Sequence, residues 1–147
     1  MKESKIRQIT SAKSYRPTVL LLDDQDVALN IHLALIKKID PKIKTVMFKE
    51  PKQALEWLKI KHADLIITDY VMEGMNGIEF IKAAKLTKHG LSIPYVVVTA
   101  STDKAVHEQL YAAGVYKAYT KPVNITALLS TCRELLNIDD TKLIMPS

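Results

Sequence analysis

The stretch Val19-Leu20-Leu21-Leu22-Asp23-Asp24 is a short apolar run that ends in two acids. Similar runs recur along the chain, and most of them lack the alternation of apolar and polar residues that marks a half-exposed strand. Strands buried on both faces have this pattern, which is typical of parallel sheets. The later runs are residues 46–48, 65–67, 95–98 and, more weakly, 115–119. The sequence therefore predicts five strands.

Segments of helical length follow each of these runs. Their apolar residues recur at spacings of three or four, which places them on one face of a helix. Each segment also begins with a residue suited to a helix start, namely Asp26, Pro51, Asn76 or Gly77, Asp103 and Asn124. Strands that alternate with helices imply a parallel sheet covered on both faces. We therefore predict an α/β fold with a doubly wound, five-stranded parallel sheet.

Length and composition set the broad class of protein. The chain has 147 residues, of which 48% are hydrophobic and 25% charged, so one ordinary globular domain is expected. The longest stretch free of charged side chains, residues 89–102, is shorter than the roughly 20 apolar residues of a membrane span. The first sixteen residues are polar and basic, unlike a secretion signal. We expect a cytoplasmic protein with no membrane contact.

Cysteine and histidine offer no catalytic or metal-binding pattern. Cys132 is the single cysteine, so neither an intrachain disulfide nor a cysteine-rich zinc site is expected. It falls on the apolar face of the last helix, as a small core residue does. The four histidines show no ligand spacing and are expected on helix surfaces or ends: His32, His62, His89 and His107.

The positive charge is concentrated at the start of the chain. The formal net charge is +5, and residues 1–16 carry five basic side chains against one acid. A near-neutral body with a basic arm does not favour nucleic-acid binding by the domain. We expect a basic flexible tail over residues 1–16, a folded domain over 17–138, and a tail or truncated linker over 139–147.

Polar residues end four of the five predicted strands. Asp23 and Asp24 follow the first strand, Asp69 the third, Thr99 the fourth and Lys121 the fifth. Ligands of doubly wound sheets bind outside the carboxyl ends of the strands, so these side chains are expected to converge. Three adjacent carboxylates repel one another unless a cation joins them, and Mg²⁺ prefers oxygen ligands. With a lysine and a hydroxyl nearby, the set suits phosphoryl transfer to a carboxylate.

These residues resemble the receiver domain of bacterial two-component response regulators, which has the CheY-like, flavodoxin-type (βα)5 fold with strand order 2-1-3-4-5. The resemblance covers about residues 18–138. It is carried by the stretches 19–24, 64–77 and 93–100 and by the pairs Ala113-Gly114 and Lys121-Pro122.

The resemblance implies a role for each residue of the convergent set. Asp69 would be phosphorylated, and Mg²⁺ would be held by Asp23, Asp24, Asp69 and the backbone carbonyl of Val71. Thr99, Ala100 and Lys121 would bind the phosphoryl group and switch, and Lys121-Pro122 would be a cis peptide. The donor would be a sensor histidine kinase or a histidine phosphotransfer protein. The α4–β5–α5 surface would then control an output protein or a missing C-terminal output domain.

Three positions depart from the family pattern. Glu73 stands where many members have proline, which adds a negative charge near the metal. Ala118 stands three residues before the lysine, where an aromatic switch residue is usual. Val71 offers no polar side chain to orient an attacking water, so slow hydrolysis of the phosphoryl group is expected.

Two other function classes remain as alternatives. Asp24-Gln25-Asp26 also resembles the signature of haloacid-dehalogenase-type phosphatases, in which Asp24 would be the nucleophile and Asp26 the general acid. That interpretation leaves Asp69 unexplained, and Asp26 is more simply a helix cap. The chain could also be an interaction module that works without phosphorylation. In the leading interpretation the chain is not an enzyme beyond catalysing its own phosphoryl acceptance and hydrolysis.

Overall fold

A computed structural model describes residues 16–138 of the chain. The strands in this part are β1 (Thr18–Leu22), β2 (Lys44–Phe48), β3 (Leu65–Thr68), β4 (Tyr95–Thr99) and β5 (Lys117–Thr120). The α-helices are α1 (Asp26–Ile39), α2 (Pro51–Leu58), α3 (Gly77–Lys85), α4 (Lys104–Ala112) and α5 (Ile125–Leu135). A 3₁₀ turn spans Gly90–Ser92. Of the tails predicted at 1–16 and 139–147, all residues except residue 16 lie outside the described part of the chain.

The five strands form one parallel sheet in the order β2-β1-β3-β4-β5, which confirms the predicted topology. The three central strands are almost entirely buried, as their unbroken apolar runs indicate. Leu22 is in register with Phe48 on one side and with Thr68 on the other. The carboxyl ends of β1, β2 and β3 therefore lie level at one rim of the sheet.

Alternate residues of each strand supply two separate cores. Leu20 and Leu22 pack with Phe80 and Ile81 of α3 on one face of the sheet. Val19 and Leu21 point to the other face, toward α1 and α5, in line with the period of two along a strand. Cys132 is fully buried in this second core, and burial raises the pKa of its thiol to about 12. It is a core residue, as predicted.

Three of the predicted helix starts have side-chain caps, and the cap predicted at Asn124 is among them. Asn76 forms a reciprocal capping box with Glu79, and Asp103 and Asn124 accept from backbone amides of the first turns of α4 and α5. The predicted cap at Asp26 is wrong. Gln25 is the capping residue of α1, and Asp26 is already helical, with its carboxylate 3.0 Å from Lys49 Nζ. A carboxylate in the first turn still favours the helix through the helix dipole.

None of the helices between residues 16 and 138 has the length and apolar character that crossing a bilayer requires.

Candidate functional site

Three carboxylates meet at the rim where β1 and β3 end. Asp23 and Asp24 follow β1, and Asp69 follows β3, its immediate neighbour in the sheet. One oxygen of each lies within 4.8 Å of the others, and this is the group of acids, histidines or cysteines between residues 16 and 138 that is close enough to hold a metal ion. Asp23 and Asp69 are buried, whereas Asp24 is exposed. The convergence predicted from the strand ends is present.

Lys121 reaches the same carboxylates from the end of β5. Its Nζ donates to Asp69 Oδ2 at 3.3 Å and to Asp23 Oδ2 at 3.4 Å. Its backbone N–H donates to the carbonyl of Thr99 at 2.7 Å, which fixes the start of the β5–α5 connection against the end of β4. The Lys121–Pro122 peptide bond is cis. One ammonium therefore faces two buried acids.

The environment of Asp23 disfavours the ionised form of its carboxyl group. Burial raises the pKa of the Asp23 carboxyl, and the neighbouring Asp69 raises it further. Opposing contributions come from the backbone N–H of Gln25, which donates to Oδ1 at 3.0 Å, and from Lys121. Three carboxylates meet one ammonium at this rim, so a further cation would be favoured here. A hard divalent ion such as Mg²⁺ suits a set of carboxylate oxygens.

The Asp69 side chain is oriented by the chain that follows it. The N–H of Tyr70 donates to Asp69 Oδ1 at 2.7 Å, and the N–H of Gly77 donates to the carbonyl of Tyr70 at 2.7 Å. A Cβ at Gly77 would lie 2.9 Å from Tyr70 Cα and 3.0 Å from the Asp69 carbonyl oxygen. Only glycine allows α3 to begin this close to the site.

The hydroxyl of Thr99 is close to the site but bonded within its own loop. Thr99 is fully buried, and its Oγ1 accepts from the N–H of Ser101 at 3.1 Å. A hydroxyl that accepts one bond still has a proton to donate. Ala100, the next residue, is exposed at the start of this loop.

The rim opens into a cleft beside Asp24. The cleft has a volume of about 410 Å³ and is lined by the loops after β2 and β3, including Lys49, Glu50 and Glu73. Glu73 thus places its charge in the cleft that leads to Asp24, as the sequence suggested. Val71 lies in the same loop after β3 and is 61% exposed, so its apolar side chain faces solvent.

A buried histidine near the site was not predicted. His32 is 4% exposed in α1, contrary to the expectation that all four histidines lie on helix surfaces or ends. Burial lowers the pKa of His32 to about 4, and the charge of Lys121 adds to the effect, whereas Asp69 opposes it. The signal was available, because His32 follows Leu29 by three residues and precedes Ile36 by four, which places it on the buried face of α1.

The acids required for a phosphatase are not brought together. Asp26 is not in the carboxylate group, and its side chain is 72% exposed and paired with Lys49. The phosphatase alternative, which needs Asp24 and Asp26 at one centre, is not favoured by this arrangement.

Comparison with known sequences gives a consistent family. The family model described as "Response regulator receiver domain" matches residues 19–133. A cyclic di-GMP phosphodiesterase response regulator of Xanthomonas campestris is 30% identical over 120 residues, which is 82% of this chain and 32% of that protein. The polar-differentiation response regulator DivK of Brucella ovis is 24% identical over 119 residues, 81% of this chain and 95% of that protein. The chain thus spans about a third of the length of the first relative.

Solved structures share the fold. The receiver domain of a sensor histidine kinase from Pseudomonas aeruginosa superposes with a TM-score of 0.74 at 17% identity, covering 84% of this chain and 99% of that one. That structure has a magnesium ion coordinated in its active-site cleft. The chemotaxis response regulator CheY4 of Vibrio cholerae superposes with a TM-score of 0.73 at 24% identity, covering 82% of this chain and 99% of that one.

Proposed function

Because this chain belongs to the response regulator receiver domain family, whose members are phospho-acceptors, we propose that Asp69 accepts a phosphoryl group from a phosphohistidine. The donor would be a sensor histidine kinase or a histidine phosphotransfer protein. The observation that carries the assignment is the contact of one ammonium, Lys121 Nζ, with Asp69 at 3.3 Å inside a cluster of three acids. Lys121 also contacts Asp23, but Asp23 is fully buried, whereas Asp69 keeps 7% of its surface exposed.

The donor set fits Mg²⁺. Asp24 and Asp69 would bind the ion directly, the backbone carbonyl of Val71 would add a ligand, and Asp23 would act largely through water. The geometry supports this fit, since one oxygen of each of the three carboxylates lies within 4.8 Å of the others and a shared cation would relieve their repulsion. When bound, the ion would neutralise charge on the phosphoryl oxygens during transfer.

The chain's own residues would carry out the rest of the transfer. An Asp69 carboxylate oxygen would attack phosphorus in line as the phosphorus–nitrogen bond of the donor breaks, and the electron pair of that bond would stay on the imidazole. The product is an acyl phosphate. Lys121 would move its hydrogen bond from the carboxylate to a phosphoryl oxygen, and the Thr99 hydroxyl would donate a hydrogen bond to another.

The consequence of phosphorylation would be a shift between two states of the surface formed by α4, β5 and α5. That surface would control an output protein or an output domain of a longer chain. The chain would catalyse its own phosphoryl acceptance and hydrolysis and turn over no other substrate. We place it in the cytoplasm, where its phosphodonor would be found.

Intact-mass measurement tests the acceptor assignment. The protein is incubated with acetyl phosphate and Mg²⁺, and one phosphoryl group is expected to add to the wild type and none to Asp69→Asn. Asp26→Asn is the matched control, because Asp26 is a nearby exposed acid that the phosphatase alternative requires, and it is expected to accept normally. Equal acceptance by Asp69→Asn would refute the assignment.

Two further results would favour the alternatives. Hydrolysis of p-nitrophenyl phosphate that survives Asp69→Ala would support a phosphatase. Absence of Mg²⁺ binding in calorimetry would support an interaction module that works without phosphorylation.

A further inference from the structure

Two side chains of α4 form hydrogen bonds to backbone outside their own helix. His107 Nε2 lies 2.9 Å from the carbonyl oxygen of Ser101, in the loop after β4. Tyr111 Oη accepts from the N–H of Ala118 in β5 at 3.0 Å. His107 and Tyr111 are four residues apart, so they project from the same face of α4. We call these two residues the α4 clasp.

The histidine of the clasp is connected to the phosphoryl site through one residue. The N–H of Ser101 donates to Thr99 Oγ1 at 3.1 Å, while the carbonyl of Ser101 faces His107. Because a carbonyl only accepts, His107 Nε2 carries the proton in this contact. The same nitrogen lies 3.4 Å from Thr120 Oγ1, and Thr120 immediately precedes Lys121. His107 therefore contacts Ser101, which is hydrogen-bonded to Thr99, and Thr120, which precedes Lys121.

Tyr111 contacts the backbone of Ala118, the position where the family usually has an aromatic residue. Ala118 is too small to change rotamer with the state of Thr99. The tyrosines of the β5 segment are directed to α5 instead: Tyr119 Oη is bonded to Thr131 and Tyr116 Oη donates to Glu134 at 2.8 Å. Tyr111 is the tyrosine that contacts Ala118.

We infer that the α4 clasp transmits the state of Thr99 to β5 in place of an aromatic side chain at position 118. The inference rests on the proposed function, because it starts from a phosphoryl group on Asp69. When the Thr99 hydroxyl turns to that group, the N–H of Ser101 loses its acceptor and the loop moves. The Ser101 carbonyl then leaves His107, α4 shifts on β5, and the contact between Tyr111 and Ala118 changes. His107 acts as a positioning residue.

Amide NMR of the full chain tests the inference in two arms. The first compares unphosphorylated wild type with His107→Ala at the amide of Thr102, which belongs to the same peptide group as the Ser101 carbonyl. The second adds Mg²⁺ and beryllofluoride and follows the amide of Ala118. His107→Gln restores a side-chain N–H of comparable reach. Gln109→Ala, an exposed position on the same helix, is the control.

If the α4 clasp transmits the signal, the NMR shifts at Thr102 and Ala118 should differ among the variants in a defined way. The Thr102 amide moves in His107→Ala, and the beryllofluoride-induced shift at Ala118 falls by roughly half or more. His107→Gln recovers most of that shift, and Gln109→Ala keeps it. An unchanged Thr102 amide, or a full Ala118 response in His107→Ala, overturns the inference although the adduct forms. If wild-type Asp69 takes up no beryllofluoride, the proposed function fails first, and the inference with it.

Discussion

Replacing Lys121 with methionine removes the ammonium but keeps the aliphatic stem. The Nζ lies 3.3 and 3.4 Å from oxygens of Asp69 and Asp23, and these two acids are buried. At an effective dielectric constant of roughly 20, each contact corresponds to about 5 kcal/mol of gross Coulomb attraction. Breaking a buried pair costs about 3–5 kcal/mol. Because the lysine side chain is 27% exposed and the acids can bind protons, we expect the metal-free protein to lose about 2 kcal/mol at pH 7.

The same substitution is expected to strengthen Mg²⁺ binding. Loss of one positive charge beside the three acids raises the negative potential at the rim, and we expect the Mg²⁺ dissociation constant to fall by about tenfold. Urea unfolding with and without Mg²⁺, together with calorimetric titration of Mg²⁺, measures both effects. Lys117→Met is the matched control, because Lys117 is an exposed lysine at the start of β5, the strand that Lys121 follows. A Lys121→Met protein that is as stable as this control, or that binds Mg²⁺ more weakly than the wild type, would contradict the electrostatic role given to Lys121.

Three further predictions concern buried and close-packed residues. Burial lowers the pKa of His32 to about 4. Between pH 6.5 and pH 4 the unfolded chain therefore binds a proton that the folded protein does not, and the free energy of unfolding should fall by about 3 kcal/mol over this range. His32→Leu should remove that part of the pH dependence in urea unfolding. Burial raises the pKa of Asp23, so its ionisation opposes folding at neutral pH. Asp23→Asn should therefore stabilise the metal-free protein in urea unfolding at pH 7, and this gain should disappear as pH falls through the raised pKa toward 3.8. Gly77→Ala should slow phosphoryl acceptance at Asp69 and lower the melting temperature. Gly90→Ala, whose Cβ would lie 1.8 Å from a backbone carbonyl oxygen far from the rim, should lower the melting temperature further without a specific effect on acceptance.

The fold was predictable because its signals are local and agree with one another. The apolar runs at β1, β3 and β4 fill both faces of the sheet, and the side chains of Asn76, Asp103 and Asn124 cap the helices that follow. Asp26 shows the limit of such signals. A cap depends on the backbone angles of one residue, and the sequence does not tell whether Asp26 stands just before the helix or inside it.

The site was predictable as a set of strand-end residues and only partly as a network. Asp69 and Lys121 meet because they follow β3 and β5, two parallel strands that end at the same edge of the sheet with only β4 between them. The burial of His32 follows from helical periodicity, because His32 lies on the same face of α1 as Leu29 and Ile36. The polar residue type predicts a surface position, and here the spacing along the helix is the better guide. The contacts of His107 and Tyr111 depend on the packing angle of α4 against β5, and no sequence spacing determines that angle.

A crystal structure of the protein with Mg²⁺ and beryllofluoride would show whether Asp69 is the phosphoryl acceptor and whether it shares a metal ion with Asp24. We expect beryllium bonded to a carboxylate oxygen of Asp69, and Mg²⁺ at about 2.1 Å from oxygens of both Asp24 and Asp69. Beryllium on another acid, or Asp24 and Asp69 facing separate regions without a shared ion, would contradict it.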